Sequence, residues 1–248
     1  MKIVVTGSEG FIGKQLCKEL EPRHKVIRWD KKLGKDIRNF YINGADYVIH
    51  LAGLANIPES INNPQLYWQE NVRNTTKIQR HCRRSLTPLI YASSSCIHQW
   101  YLSPYGMSKK VNEETAFENQ YGLRFTTVYG NTDREEMFVS RILNGKLEYA
   151  TSHIRDFVHV KDVVQAIIQI MYRSLSKDNE MCRTYDIGLG RGYKVSELAK
   201  LAGYDVPEVA GEEYEAEDNT ADLTNITEIG WNPTIDIVDF IKNESGNK

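Results

Sequence analysis

The chain has 248 residues, 41% of them hydrophobic and 26% charged, and a formal net charge of -2. That length and apolar share suffice for one large α/β core. The near-balanced charge argues against nucleic-acid partners and membrane surfaces. Cys17, Cys82, Cys96 and Cys182 stand far apart, with no CxxC pair and no histidine cluster at ligand spacing, so no metal is expected and the thiols read as reduced and cytoplasmic. A strand beginning at residue 2 leaves no room for a signal peptide, and no apolar run approaches membrane-spanning length.

The β-branched run Ile3-Val4-Val5 reads as a buried strand, and Phe11 to Leu20 carry apolar residues at helical spacing. Gly7, Gly10 and Gly13 therefore occupy a strand-to-helix turn. Side chains there would block the sharp reversal and the close approach of helix to sheet, while the free N–H groups of the helix start face an anion such as a pyrophosphate. The next strand, 24–30, ends in Asp30, within reach of a ribose diol, which favours NAD over its 2′-phosphorylated form; Arg28, Lys31 and Lys32 are cations that pull the other way.

After a polar connection over 31–45, a third strand runs over 46–53 into Gly53. A helix follows over 64–84, a fourth strand over 89–92, a helix over 105–121 and a fifth strand over 123–128. A helical stretch near 138–143, a segment at 155–160, a core-packing helix from Lys161 and a strand at 184–187 complete the pattern. Strands alternating with helices predict a doubly wound parallel sheet. Its carboxyl edge gathers Gly7, Asp30, Ala52 and Ser93, and 208–222 reads as an exposed acidic loop.

The chemistry concentrates in Ser93-Ser94-Ser95-Cys96 and in Tyr105-Gly106-Met107-Ser108-Lys109. Tyr105 and Lys109, four apart at a helix start, share a face. A free phenol has a pKa of about 10, too high for a base at neutral pH, and a neighbouring cation favours the phenolate. With a serine hydroxyl from the adjacent strand, the trio suits removal of an alcohol proton as a hydride leaves its carbon.

Ordered motifs extend this reading along nearly the whole chain. They are Gly7-x-x-Gly10-Phe11-Ile12-Gly13, Asp36-Ile37, His50-Leu51-Ala52-Gly53, Asn71-Val72, Ser93-Ser94-Ser95, Tyr105-x-x-x-Lys109, Val128-Tyr129-Gly130, Arg155-Asp156-Phe157-Val158-His159-Val160-x-Asp162, Tyr185-Asp186-Ile187-Gly188 and Ile229-Gly230-Trp231. In these the chain resembles an extended short-chain dehydrogenase/reductase of the NAD-dependent epimerase/dehydratase family, which acts mainly on nucleotide sugars. The resemblance implies a Rossmann-like region over 1–130 with a returning segment 155–188, and a small substrate lobe from 131–154 and 189–248. It places NAD on Gly7, Gly10, Phe11, Ile12, Gly13, Asp30, Asp36, Ile37, Leu51, Ala52, Gly53, Asn71, Tyr105 and Lys109, with Asp36 and Ile37 at the adenine. Ser94, Tyr105 and Lys109 would be catalytic, and Ser94, Ser95 and Arg155 would meet substrate.

Departures from the family pattern narrow the reaction. Where family dehydratases carry an acid pair after the catalytic hydroxyl, this chain has Ser95 and Cys96, which disfavours water elimination. C4 epimerisation through a transient 4-ketone needs no further acid and is the first reading. Ser94-Ser95-Cys96-Ile97 also resembles the segment of GDP-sugar 3,5-epimerases and 4-keto-sugar reductases in which a cysteine is the base, so a catalytic Cys96 stays open beside the inert-thiol alternative. A non-catalytic dinucleotide-binding scaffold is a third reading. Residues 212–219 replace the family's second phosphate-binding arginine with an acidic run, and Arg155, if not on a phosphate, would pair with Asp156 or Asp162. By the same resemblance a homodimer is expected through a four-helix bundle of 64–84 and 105–121, the latter with a charged face of Lys109, Lys110, Glu113, Glu114 and Glu118.

Overall fold

A computed structural model describes residues 1–132, 134–176 and 181–245; residues 133, 177–180 and 246–248, which fall within the expected lobes and returning segment, lie outside the described residues. The strands are β1 (Lys2–Thr6), β2 (Lys25–Trp29), β3 (Tyr47–His50), β4 (Leu89–Ser94), β5 (Gln120–Phe125), β6 (Thr127–Tyr129), β7 (Ala150–Thr151), β8 (Ile154–His159), β9 (Thr184–Ile187), β10 (Gly192–Lys194) and β11 (Glu208–Val209). Helices are α1 (Phe11–Leu20), α2 (Ile57–Asn62), α3 (Pro64–Tyr67), α4 (Asn74–Arg84), α5 (Pro104–Glu114), α6 (Phe138–Leu143), α7 (Val160–Ser174), α8 (Val195–Leu201), α9 (Thr224–Glu228) and α10 (Ile237–Ser245).

Six parallel strands form the main sheet in the order β2-β1-β3-β4-β5-β9. The chain steps from β1 to one side for β2 and to the other for β3, so the order reverses at β1 and opens a crevice at the carboxyl ends, where open α/β sheets bind ligands. The doubly wound sheet is thus present, and the pleat explains its two covers. Ile3 and Val5 join Leu16, Cys17 and Leu20 of α1 and Val163, Val164, Ile167 and Met171 of α7, whereas Val4 and Val48 join Ile78 and Cys82 of α4 on the opposite face.

A second apolar cluster lies beyond β5, built from Tyr129, Val139, Ile142, Phe157, Val195, Leu198, Ile237 and Ile241. It packs beside the three-stranded sheet β10-β8-β6 and the pair β11-β7.

Several elements differ from their sequence expectation. The helix expected over 105–121 ends at Glu114, and Tyr121 lies inside β5. The fifth strand divides at Thr126 because β5 pairs with β9 while β6 pairs with β8. The stretch 64–84 stays helical but winds as a π-helix over Trp68–Arg73. Glu113 is not on a charged face: its carboxylate, 6% exposed, takes Arg124 at 2.8 Å and the Ser93 hydroxyl at 2.6 Å. Lys109 is likewise buried.

Candidate active site

The glycine turn closes between β1 and α1. Gly7 sits at φ +68°, and a Cβ there would lie 2.7 Å from the Ala52 nitrogen; one on Gly13 would lie 2.1 Å from the Gly7 carbonyl oxygen. Both positions need glycine, one for backbone conformation and both for space. The first-turn amides of α1 have no carbonyl within the helix to meet and open on the crevice. His50, buried and neutral, ties the ends of β1 and β3 together through Thr6 Oγ1 (2.6 Å) and reaches Thr75 Oγ1 (3.0 Å); burial pushes its pKa down to about 3.

Asp30 caps the turn after β2. Its carboxylate accepts the Glu9 amide at 3.1 Å and the Lys32 amide at 2.9 Å, which fixes it beside the glycine turn. Two of the three cations that weighed against it are engaged: Arg28 holds Glu9 and Glu21 at 3.0 and 2.7 Å, and Lys31 holds Glu70 at 3.1 Å. Asp36 pairs with Arg38, which holds its carboxyl down at about 2, and Ile37 is buried under the sheet.

From this turn a cleft of about 750 Å³ runs across the carboxyl edge, a size ordinary for small-molecule sites. Gly7, Gly10, Phe11, Ile12, Gly13, Leu51 and Gly53 line one end. Ser94, Ser95, Cys96, Tyr105 and Lys109 line the middle, and Arg155 lines the far end. Ala52 is half-buried against the sheet, and Asn71 acts behind the wall. From the π-turn, Asn71 Oδ1 accepts the Leu54 amide at 2.8 Å and its Nδ2 donates to the Leu54 carbonyl at 2.9 Å, pinning the loop after β3. A π-turn moves one side chain out of helical register, a common device at sites.

Tyr105 enters on the first turn of α5, capped by Ser103, whose hydroxyl accepts the Gly106 amide. The Lys109 ammonium stands 5.7 Å from the Tyr105 ring centroid and donates to the Ala92 carbonyl at 2.8 Å. Burial pushes the Lys109 pKa down to about 8, and burial pushes that of Tyr105 above its ordinary value, so the free protein keeps the phenol protonated. Ser94 Oγ accepts the Cys96 amide at 3.2 Å, and its hydroxyl works against the effect of burial on the Tyr105 phenol. Burial also raises the Cys96 thiol, which opposes a resting thiolate.

Arg155 meets neither expected aspartate. Its guanidinium binds Glu215 at 2.7 Å and the Ala216 carbonyl at 2.7 Å. Asp156 is instead spent on the amides of Leu189, Gly190 and Ala221, and Asp162 on Thr234 and Ile235. The acidic stretch is correspondingly no free loop: Glu208–Val209 pairs with β7, and Glu212, Tyr214, Glu215 and Ala216 line the cleft. Spacing did not reveal three further lining groups, Arg134, Arg141 and Tyr149, which reach the cleft from segments that only tertiary packing brings to it. Nor did it reveal Tyr67, edge-on to Tyr105 at 6.3 Å and hydrogen-bonded to Asn56 and Glu59.

Comparison with known proteins places this chain among relatives. The family model described as NAD dependent epimerase/dehydratase family matches residues 3–188. Protein CapI of Staphylococcus aureus is 31% identical over 244 residues, covering 73% of this chain and 72% of its own. A putative UDP-glucose 4-epimerase of Methanocaldococcus jannaschii is 27% identical, covering 97% and 96%. Among solved structures, MoeE5 in complex with UDP-glucuronic acid and NAD superposes with a TM-score of 0.84 at 24% identity, covering 100% of this chain and 99% of its own, a likeness of fold.

Proposed function

Because the chain belongs to the NAD dependent epimerase/dehydratase family, we propose that it is an NAD-dependent nucleotide-sugar epimerase working at C4 through a transient 4-ketone. The observation that carries this reading is the convergence of Ser94, Tyr105 and Lys109 on one cleft that begins at the glycine turn. The turn fits a dinucleotide: Gly10 has only the Gly7 carbonyl near its missing Cβ, at 3.2 Å, and the α1 amides are open to a pyrophosphate. Relatives described as UDP-glucose 4-epimerases support a UDP-sugar as substrate.

Bound NAD supplies a hydride acceptor that also returns the hydride. The protein's own groups do the rest. Tyr105 takes the proton of the sugar C4 hydroxyl and gives it back to the C4 oxygen, Ser94 hydrogen-bonds that oxygen, and the Lys109 charge favours the phenolate that Tyr105 must become. Between the two proton transfers the cleft would have to let the 4-ketone turn over, so that C4 is inverted with no net reduction of the sugar. Burial raises the Cys96 thiol as it raises the Tyr105 phenol, and it is the phenol that the Lys109 ammonium stands beside. The same family likeness supports a homodimer through α3–α4 and α5.

The test is product analysis by NMR with UDP-, GDP- and dTDP-sugars. C4 epimer should appear without exogenous NADH, and Tyr105→Phe should lose turnover by at least 10²-fold while still binding NAD. Net consumption of NADH, or a Tyr105→Phe protein with wild-type turnover, overturns the reading.

A further inference from the structure

Tyr105 is the second residue of α5, in the turn where a helix has no carbonyls of its own for its amides and where helix ends fray. Pro104 has no N–H, the Gly106 amide goes to Ser103 Oγ at 3.1 Å, and the Met107 amide opens the helix ladder on the Ser103 carbonyl at 3.0 Å. The Tyr105 amide is met from another element: Ser60 Oγ of α2, forty-five positions back, accepts it at 3.2 Å. Ser60 is 0% exposed, and its own proton goes to the Ile57 carbonyl at 2.6 Å, which orients its oxygen toward Tyr105.

Tyr67 fixes the helix that carries Ser60. Its hydroxyl accepts the Asn56 amide at 3.1 Å and donates to the Asn56 carbonyl at 2.6 Å, and the Asn56 side chain caps α2 by accepting the Glu59 amide at 2.8 Å. The buried Tyr67 ring stands edge-on to the Tyr105 ring at 6.3 Å. Ser108 Oγ donates to the Tyr105 carbonyl at 2.7 Å and accepts Asn71 Nδ2 at 3.2 Å. The segment after β3 thus braces the amide, the ring and the carbonyl side of one residue. Lys109 lies one turn further along α5 and has its own anchor in the Ala92 carbonyl. Without Ser60 the first turn of α5 would move independently of Lys109 and Ser94, and the phenolic oxygen, at the far end of its side chain, would move most. Misplacement by about 1 Å can cost about 10²-fold in rate.

We propose that Ser60 is a positioning residue for the reaction: it fixes the catalytic phenol through the Tyr105 backbone amide, and Tyr67 holds α2 in place for it. This rests on the epimerase reading above, in which Tyr105 moves the C4 proton.

The test combines turnover with a titration of the phenol. In the NAD-loaded protein, tyrosinate absorbance taken as the difference from Tyr105→Phe reads the ionisation of residue 105 alone. Ser60→Ala should move that titration to higher pH by about one unit, because the phenol loses its place beside the Lys109 charge. Its kcat should fall by about tenfold or more, with KM and NAD affinity within about twofold of wild type. Ser60→Thr, which keeps the accepting oxygen, should restore most of both. Tyr67→Phe, which keeps the ring and loses the hold on Asn56, should shift both in the same direction by less. A lost buried hydrogen bond alone lowers the melting temperature and moves neither readout, so Ser60→Ala with wild-type titration and kcat overturns the assignment. If Ser60→Ala does not fold, Tyr67→Phe decides by the same readouts. A wild-type protein that binds NAD and titrates the phenol but turns over no nucleotide sugar overturns the epimerase reading, and the titration then judges the assignment by itself.

Discussion

A methyl group at position 13 would sit 2.1 Å from the Gly7 carbonyl oxygen, less than any contact the backbone tolerates, so the glycine turn is fixed by single atoms. Gly13→Ala must push α1 away from β1, and we expect a destabilisation of roughly 1–3 kcal/mol, as for other overpacked sites, together with loss of NAD binding. A thermal melt with and without NAD checks both: wild type should gain stability with NAD as mass action requires, and Gly13→Ala should not. The glycine spacing was legible because a backbone reversal constrains its own residues. The partner of Arg155 was not. Glu215 lies sixty positions away in an acidic run that composition alone marks as solvated, and the pairing of β11 with β7 together with the bridge of Asp218 to Ile154 brings that run over the cleft.

At the scale of elements, α5 is positioned by more than its apolar face. Glu113, one turn beyond Lys109, is fixed by Arg124 of β5, and Arg124 also reaches Asp186 of β9 at 3.3 Å. The network therefore ties α5, which carries Tyr105 and Lys109, to β5 and β9. Removing the shared cation leaves two buried carboxylates without their guanidinium, Glu113 with the Ser93 hydroxyl and Asp186 with His98, so Arg124→Met should cost roughly 3–5 kcal/mol. Glu113→Gln, which leaves Arg124 with Asp186, should cost less. Denaturant midpoints of the two variants give the order; a milder Arg124→Met would show that the network is not what holds α5. Helical periodicity alone overran this element because it treats Glu113 and Tyr121 as positions on one helix, whereas residues 115–119 turn the chain and Gln120 begins a central strand.

At the scale of the whole molecule, α3, the π-turn, α4 and α5 present Leu66, Trp68 and Met107, 42%, 45% and 37% exposed. Arg73, Lys77, Arg80 and Arg84 line a shallow depression beside Trp68. Two copies joined through these helices would bury that apolar surface and set the basic stripe of α4 against Glu114 and Glu118 of the partner. We expect sedimentation at micromolar concentration to show a dimer that weakens as salt is raised from 0.1 to 1 M, because exposed charge pairs are screened over that range. A monomer at every salt concentration would count against the bundle.

The sequence by itself determined the doubly wound sheet, the glycine turn between β1 and α1 and the positions of Ser94, Tyr105 and Lys109, since each depends on local spacing or on alternation of strand and helix. Tertiary structure alone decided which charges remain free to meet a ligand. Lys31 and Arg155 are taken by acids far along the chain, and the burial that pulls Lys109 down while raising Tyr105 and Cys96 arises only when distant elements close around them. Charge pairing and desolvation are properties of neighbours in space, and a chain read in order does not disclose those neighbours.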